Sequence, residues 1–133
     1  MKGAHTTSEI EYHFVFCTKY RKPVLTGEVQ QRVRELIREI CAENRIRIIR
    51  GTVSRDHVHL LAACPSALAP SKIMQYLKGK SAYLLFREFP FIRQQLYKGH
   101  LWSRGYYAAS VGKFDPAIVE NYLVQHMGEQ IIQ

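Results

Sequence analysis

The segment Asp56-His57-Val58-His59-Leu60-Leu61 sets two imidazoles one residue apart. On a β-strand, side chains at i and i+2 point to one face, so His57 and His59 can bind one metal ion together. Far downstream, Tyr122 and His126 stand four apart in a stretch of helical character, which puts them on one helix face. A metal-binding pair and a tyrosine suit attack on a phosphodiester. The phosphate's charge repels nucleophiles, and a cation on a non-bridging oxygen offsets that repulsion. Two imidazoles supply only part of a metal shell. His126 or Gln125 is the candidate third ligand, and the spacing favours His126. Tyr122 would be the nucleophile, giving a covalent phosphotyrosine and a free 3′ hydroxyl. A phenol of ordinary pKa near ~10 must lose its proton to a base or to water as it attacks. The sequence names no base.

Each residue also has a plainer reading. A strand H-x-H pair is more often structural than metal-binding, and a tyrosine on an apolar helix face is by default core or interface. His126, near a fraying helix end, would be solvated at the negative end of the helix dipole. Asp56 reads as a turn residue, with orientation of a histidine as its functional alternative. His5, His13 and His100 read as bystanders, while Tyr106 and Tyr107 are rival nucleophiles that, within a strand, read rather as residues that pack or stack on bases.

The elements that must position these groups follow from periodicity. Glu11 to Thr18 alternates Tyr12, Phe14 and Phe16 with His13, Val15 and Cys17, a strand apolar enough on both sides to be central. Thr26 caps a helix over 28–44 whose apolar stripe is Val29, Val33, Leu36, Ile37, Ile40 and Cys41. Strands follow over 45–53 and 57–63, and the short turn Ser54-Arg55-Asp56 makes them an antiparallel hairpin. Ser71 can cap a helix from Lys72 to about Phe89, where Pro90 stops it; Gly79 inside it calls for a close backbone neighbour. Leu101 to Val111 reads as a fourth strand, then Gly112-Lys113 as a hinge. Asp115 and Pro116 open a final helix, about 115–127, fraying near Gly128. The order βαββαβ predicts a single α+β domain over 1–133, ferredoxin-like (RRM-like), an antiparallel sheet with helices on one face and a C-terminal tyrosine-bearing helix.

The 19 Lys and Arg against 11 Asp and Glu give a net charge of +8, which favours a polyanionic partner. The positive residues are dispersed (Lys19, Arg21, Lys22, Arg45, Arg47, Arg50, Arg55, Lys72, Lys78, Lys80), so the charge belongs to a folded surface and nucleic acid is the better match. Cys17, Cys41 and Cys64, widely spaced and odd in number, read as reduced core residues in a cytoplasmic protein. No stretch is apolar enough to predict a membrane span.

With these residues in view, the chain resembles the single-tyrosine HUH transposases (His, hydrophobic, His) of the smallest bacterial insertion sequences. The likeness is carried by Gly51 to Leu61, Tyr12 to Lys22, Leu77-Lys78-Gly79-Lys80-Ser81, Leu101-Trp102-Ser103, Ser110-Val111-Gly112 and Tyr122-Leu123, in order and spacing. The resemblance implies cutting and rejoining of single-stranded DNA at element ends, with Mg²⁺ or Mn²⁺ and a transient 5′-phosphotyrosine. It also implies recognition of DNA hairpins and a homodimer that exchanges the tyrosine helix. His57 and His59 then match the metal ligands and Tyr122 the nucleophile. Many relatives carry a glutamine four residues after the tyrosine; here that position is His126, with Gln125 one residue early. Lys19, Arg21, Lys22, Lys78 and Lys80 are candidate DNA-phosphate contacts. The competing expectations are a non-catalytic RRM-like nucleic-acid-binding module, a metal-dependent hydrolase using activated water, and a host-domesticated HUH nuclease.

Overall fold

Alternation decides the centre of the molecule. In β1, Glu9–Cys17, Phe14 and Phe16 are fully buried towards the helices, while Val15 and Cys17 are buried on the opposite face. The computed structural model describes residues 8–96, 99–122 and 130–132, leaving aside the side chains of 120–122 and 130–132. After a single 3-10 turn at Lys19–Arg21 comes α1, Gly27–Glu43, with Thr26 as its extended N-cap. All six apolar stripe residues read from the sequence are buried. β2, Arg47–Val53, and β3, His57–Pro65, form the expected antiparallel hairpin, closed by the Ser54 amide donating to the His57 carbonyl at 2.8 Å. β2 starts two residues later than expected, because Arg45 turns the chain with φ 59°.

α2, Pro70–Glu88, buries Ile73, Met74, Leu77, Ser81 and Leu85. Its N-cap is Ala69 rather than Ser71, since Pro70 occupies the first turn, where its fixed φ suits a helix start. Gly79 has no close backbone neighbour: a Cβ there would meet nothing within 4 Å. α1 and α2 lie on one face, joined by Arg32, whose Nε and Nη2 donate to Glu88 Oε1 and Oε2 at 2.7 and 3.1 Å. That pairing holds the Glu88 carboxyl below its ordinary pKa. Pro90 ends α2 and also opens a short α3, Pro90–Gln94, which the sequence reading did not anticipate.

The fourth strand is shorter than expected: β4 spans only Tyr107–Ser110. Leu101 and Trp102 are consecutive and both buried, so they cannot alternate as a half-exposed strand would. Trp102 makes one bridge to Thr18, stands edge-on to Phe16 at 4.8 Å, and donates from Nε1 to Ser81 Oγ at 3.0 Å. After Gly112, which lies in a 3-10 turn, Asp115 caps α4, Pro116–Tyr122; its Oδ1 accepts from the Ala117 amide at 2.9 Å. The expected continuation of this helix to about 127 lies outside the described residues. A fifth strand, β5, Gln130–Ile132, pairs antiparallel with β2 and was not expected. Three residues are too few to show a period.

The sheet order is β4-β1-β3-β2-β5, the ferredoxin-like order with β5 added at the β2 edge. The two faces differ. The helix-covered face holds the large core, including Phe14, Phe16, Leu60, Ile37 and Leu77. The other face carries a small cluster of Val15, Cys17 and Val119, with Tyr107 and Phe114 against it. α4 therefore lies over the face opposite α1 and α2, in the same chain. The three cysteines are buried free thiols; burial raises Cys41 to about 12 and Cys64 to about 11.

Candidate active site

Register fixes which residues share the open face. In β1–β3, Cys17 pairs with His57, Val15 with His59 and His13 with Leu61. Val15 and Cys17 face α4, so His57, His59 and His13 lie on that same face. The pair read from sequence is thus placed as expected, one full pleat apart on the central strand.

His57 is buried, and its Nδ1 lies 2.9 Å from Asp56 Oδ1. The other Asp56 oxygen receives Arg21 Nη2 at 3.1 Å. Reaching Asp56 requires an unusual backbone: Tyr20 and Arg21 are consecutive left-handed residues at φ 55° and 53°. Such conformations in non-glycine residues cost on the order of 1 kcal/mol each, and they persist where surrounding contacts impose them. Here the Thr18 hydroxyl donates to the Lys22 carbonyl at 2.8 Å, and the Arg21 amide to the Thr18 carbonyl at 2.9 Å, closing the turn. Asp56 is therefore more than a turn residue. A carboxylate at Nδ1 favours the tautomer protonated there and leaves Nε2 as the nitrogen with the lone pair, the arrangement found behind metal-bound histidines.

His59 is half-buried, and its Nε2 lies 3.2 Å from His13 Nδ1. His13, read from sequence as a bystander, belongs to the site. Its ring stacks on Phe114 at 3.8 Å between centroids, and desolvation lowers its pKa. Only strand pairing brings residues 13 and 59 together, so no local spacing could have shown it. A cavity of about 440 Å³ opens here, walled by His13, His59, Leu61, Phe114, Thr52 and Arg50. Phe114 immediately precedes the cap of α4, so the same aromatic ring touches the histidine site and the start of the tyrosine helix.

Tyr122 is the last residue of α4, three beyond Val119, which is buried against Val15 and Cys17. His126 and Gln125 lie outside the described residues. Among the described residues, no three His, Cys, Asp or Glu side chains stand close enough together to hold a metal ion.

The candidate phosphate contacts divide. Arg21 has an internal role, paired with Asp56. Lys80 pairs with Glu43 at 2.7 Å, and Lys78 Nζ donates to the carbonyls of Ser103 and Gly105 at 2.8 and 3.1 Å. Burial lowers the Lys78 pKa. Lys22 is exposed. Lys19 and Lys78 flank a groove of about 410 Å³ on the α2 side, with Gly79, His100, Trp102 and Arg104 along it. The missing side chain at Gly79 widens this groove. His100 is thus a groove residue, a position the sequence reading did not foresee.

Residues 6–126 match the family described as "Transposase IS200 like". The chain is 35% identical over 133 residues to the transposase of insertion sequence element IS200 from Salmonella typhimurium, covering 96% of this chain and 87% of that one. It is 34% identical over 122 residues to the ISDra2 transposase TnpA of Deinococcus radiodurans, covering 92% and 87%. Among solved structures, a protein of Deinococcus radiodurans R1 described as a transposase superposes with a TM-score of 0.83 at 31% identity, over 93% of this chain and 95% of that one. A REP-associated tyrosine transposase bound to a REP hairpin shares the fold at TM-score 0.59 and 11% identity, over 92% and 68%.

Proposed function

The chain belongs to the IS200-like transposase family, and from that premise we propose that it cleaves and rejoins single-stranded DNA through Tyr122. The observation that carries this reading is the shared face: His57, His59 and the start of the Tyr122 helix all lie on the side of the sheet away from α1 and α2. In the cleavage step the Tyr122 phenolic oxygen attacks phosphorus, forming a 5′-phosphotyrosine. The bond from phosphorus to the 3′ oxygen breaks, the phenolic proton passes to water or a base, and the 3′ oxygen leaves as a hydroxyl. Attack by another strand's 3′ hydroxyl reverses the step and rejoins DNA.

The residues fit a divalent metal, Mg²⁺ or Mn²⁺. Arg21 and Asp56 orient His57 so that Nε2 is its ligating nitrogen, and His59 is its strand neighbour. His126 or Gln125 would complete the protein's share of the shell. When bound, the ion polarises the phosphate and stabilises charge on the leaving oxygen. A homodimer with exchanged tyrosine helices is part of this proposal, as is binding of DNA hairpins, the ligand type carried by the REP-associated relative.

The test is covalent capture. With divalent metal and a single-stranded substrate of an element end, the protein should run as a protein–DNA adduct on a denaturing gel. Tyr122→Phe should abolish the adduct and keep hairpin binding, and His57→Ala should abolish metal-dependent cleavage. An adduct formed by the Tyr122→Phe protein would overturn the nucleophile assignment. Cleavage without an adduct would favour a hydrolase using water.

A further inference from the structure

We propose that Arg50 is the side chain that grips the phosphate being cleaved, and that a bulge in β2 exists to aim it there; this rests on the strand-cleaving reading above. Period-two alternation would put Arg50 elsewhere. Ile48 pairs with Ala62 in the helix-covered core, so an unbroken ladder would set Arg50 opposite Leu60, which is fully buried in that core. Instead the register shifts between Ile48 and Arg50: two residues advance on β2 for one on β3, and Arg50 pairs with Leu61. A bulge reverses the facing of everything beyond it. Arg50 and Thr52 now lie on the face of His57, His59 and Leu61, and Ile49 is left 39% exposed at the kink.

Two consequences of the bulge can be weighed. It keeps a guanidinium out of an apolar core, where an unpaired charge would cost several kcal/mol. That alone needs only some exposed position. The position actually taken is the wall of the cavity that His59 and His13 line. Arg50 is exposed and takes part in none of the salt bridges among the described residues, unlike Arg21, Arg32, Arg47 and Lys80. A guanidinium presents paired N–H donors that match two phosphate oxygens, and its charge is permanent. Charge that builds on the non-bridging oxygens during attack would meet the Arg50 guanidinium at the cavity wall.

The experiment reads binding and chemistry separately. Binding is measured on Tyr122→Phe protein, which forms no adduct, using two oligonucleotides: one with an ordinary phosphate at the cleavage position, the other with a neutral methylphosphonate there. With Arg50 present, the methylphosphonate should weaken binding about tenfold, the scale of a charge-assisted hydrogen bond. In Arg50→Ala protein the two oligonucleotides should bind nearly alike, and the slope of log affinity against log salt should fall by about 0.7, one single-strand contact. Arg50→Lys should restore the salt slope but only part of the discrimination. In Tyr122-intact protein, Arg50→Ala should slow adduct formation at saturating DNA. Undiminished discrimination by Arg50→Ala would overturn the proposal. Absence of any adduct in the unsubstituted protein would count against the strand-cleaving reading instead, and the binding arm would still decide Arg50.

Discussion

Asp56 shows how much a single carboxylate can determine. One oxygen sits 2.9 Å from His57 Nδ1 and the other 3.1 Å from Arg21 Nη2, so ring orientation and charge are set together. Asp56→Asn keeps an acceptor for the imidazole N–H but removes the charge that makes Nε2 more basic and that holds Arg21. Loss of a partner of this kind lowers metal affinity by about ten- to a hundredfold. Titration of Mn²⁺ into purified Asp56→Asn protein, followed by the ion's paramagnetic resonance signal, should show that loss while far-ultraviolet circular dichroism stays unchanged. Equal affinity in the two proteins would mean that Asp56 serves only the turn. At this scale the sequence was legible in part. The shared face of His57 and His59 could be read because spacing along one strand reveals it. His13 and Arg50 could not: one joins the site through pairing between strands distant in sequence, the other through a register shift.

The elements were legible where their pattern was long and one-sided. β1, α1 and the β2–β3 hairpin repeat their buried stripe often enough to be read, and Asp115-Pro116 marks the start of α4 by its capping chemistry. β4 is shorter than the apolar run suggests because Leu101 and Trp102 are apolar for another reason: both are buried in the main core, and Trp102 docks on Ser81 of α2 and on Phe16. That docking depends on one buried hydroxyl. Ser81 Oγ accepts from Trp102 Nε1 at 3.0 Å and donates to the Leu77 carbonyl. Ser81→Ala leaves the indole N–H buried without that acceptor, which costs about 1–3 kcal/mol. Urea denaturation followed by the fluorescence of Trp102, the single tryptophan, should show a lower midpoint with unchanged slope. A midpoint equal to that of the unsubstituted protein would show that the bond contributes nothing net.

Across the whole molecule, cationic side chains line two concave surfaces on opposite sides of the sheet. The open face carries the histidines, Arg50 and α4; the α2 side carries the groove of Lys19, Lys78, His100, Trp102 and Arg104. If the proposed function holds, a sheet between them would let one surface hold DNA while the other acts on a different stretch of it. Affinity and cleavage should then separate under mutation. Lys78 spends its donors on two carbonyls and helps shape the groove, so Lys19 and Arg104 are the better probes. The double substitution Lys19→Ala with Arg104→Ala should weaken binding of a DNA hairpin and reduce its salt slope by about two, one unit per lost phosphate contact on duplex. The single-turnover rate of adduct formation, measured at saturating DNA, should stay within about twofold of the unsubstituted protein, because neither residue lines the histidine cavity. If the double variant bound hairpins normally but cleaved slowly, the assignment of the two faces would be reversed. The groove would then serve the reacting strand, and the charge on α2 would have to be read as part of the catalytic surface.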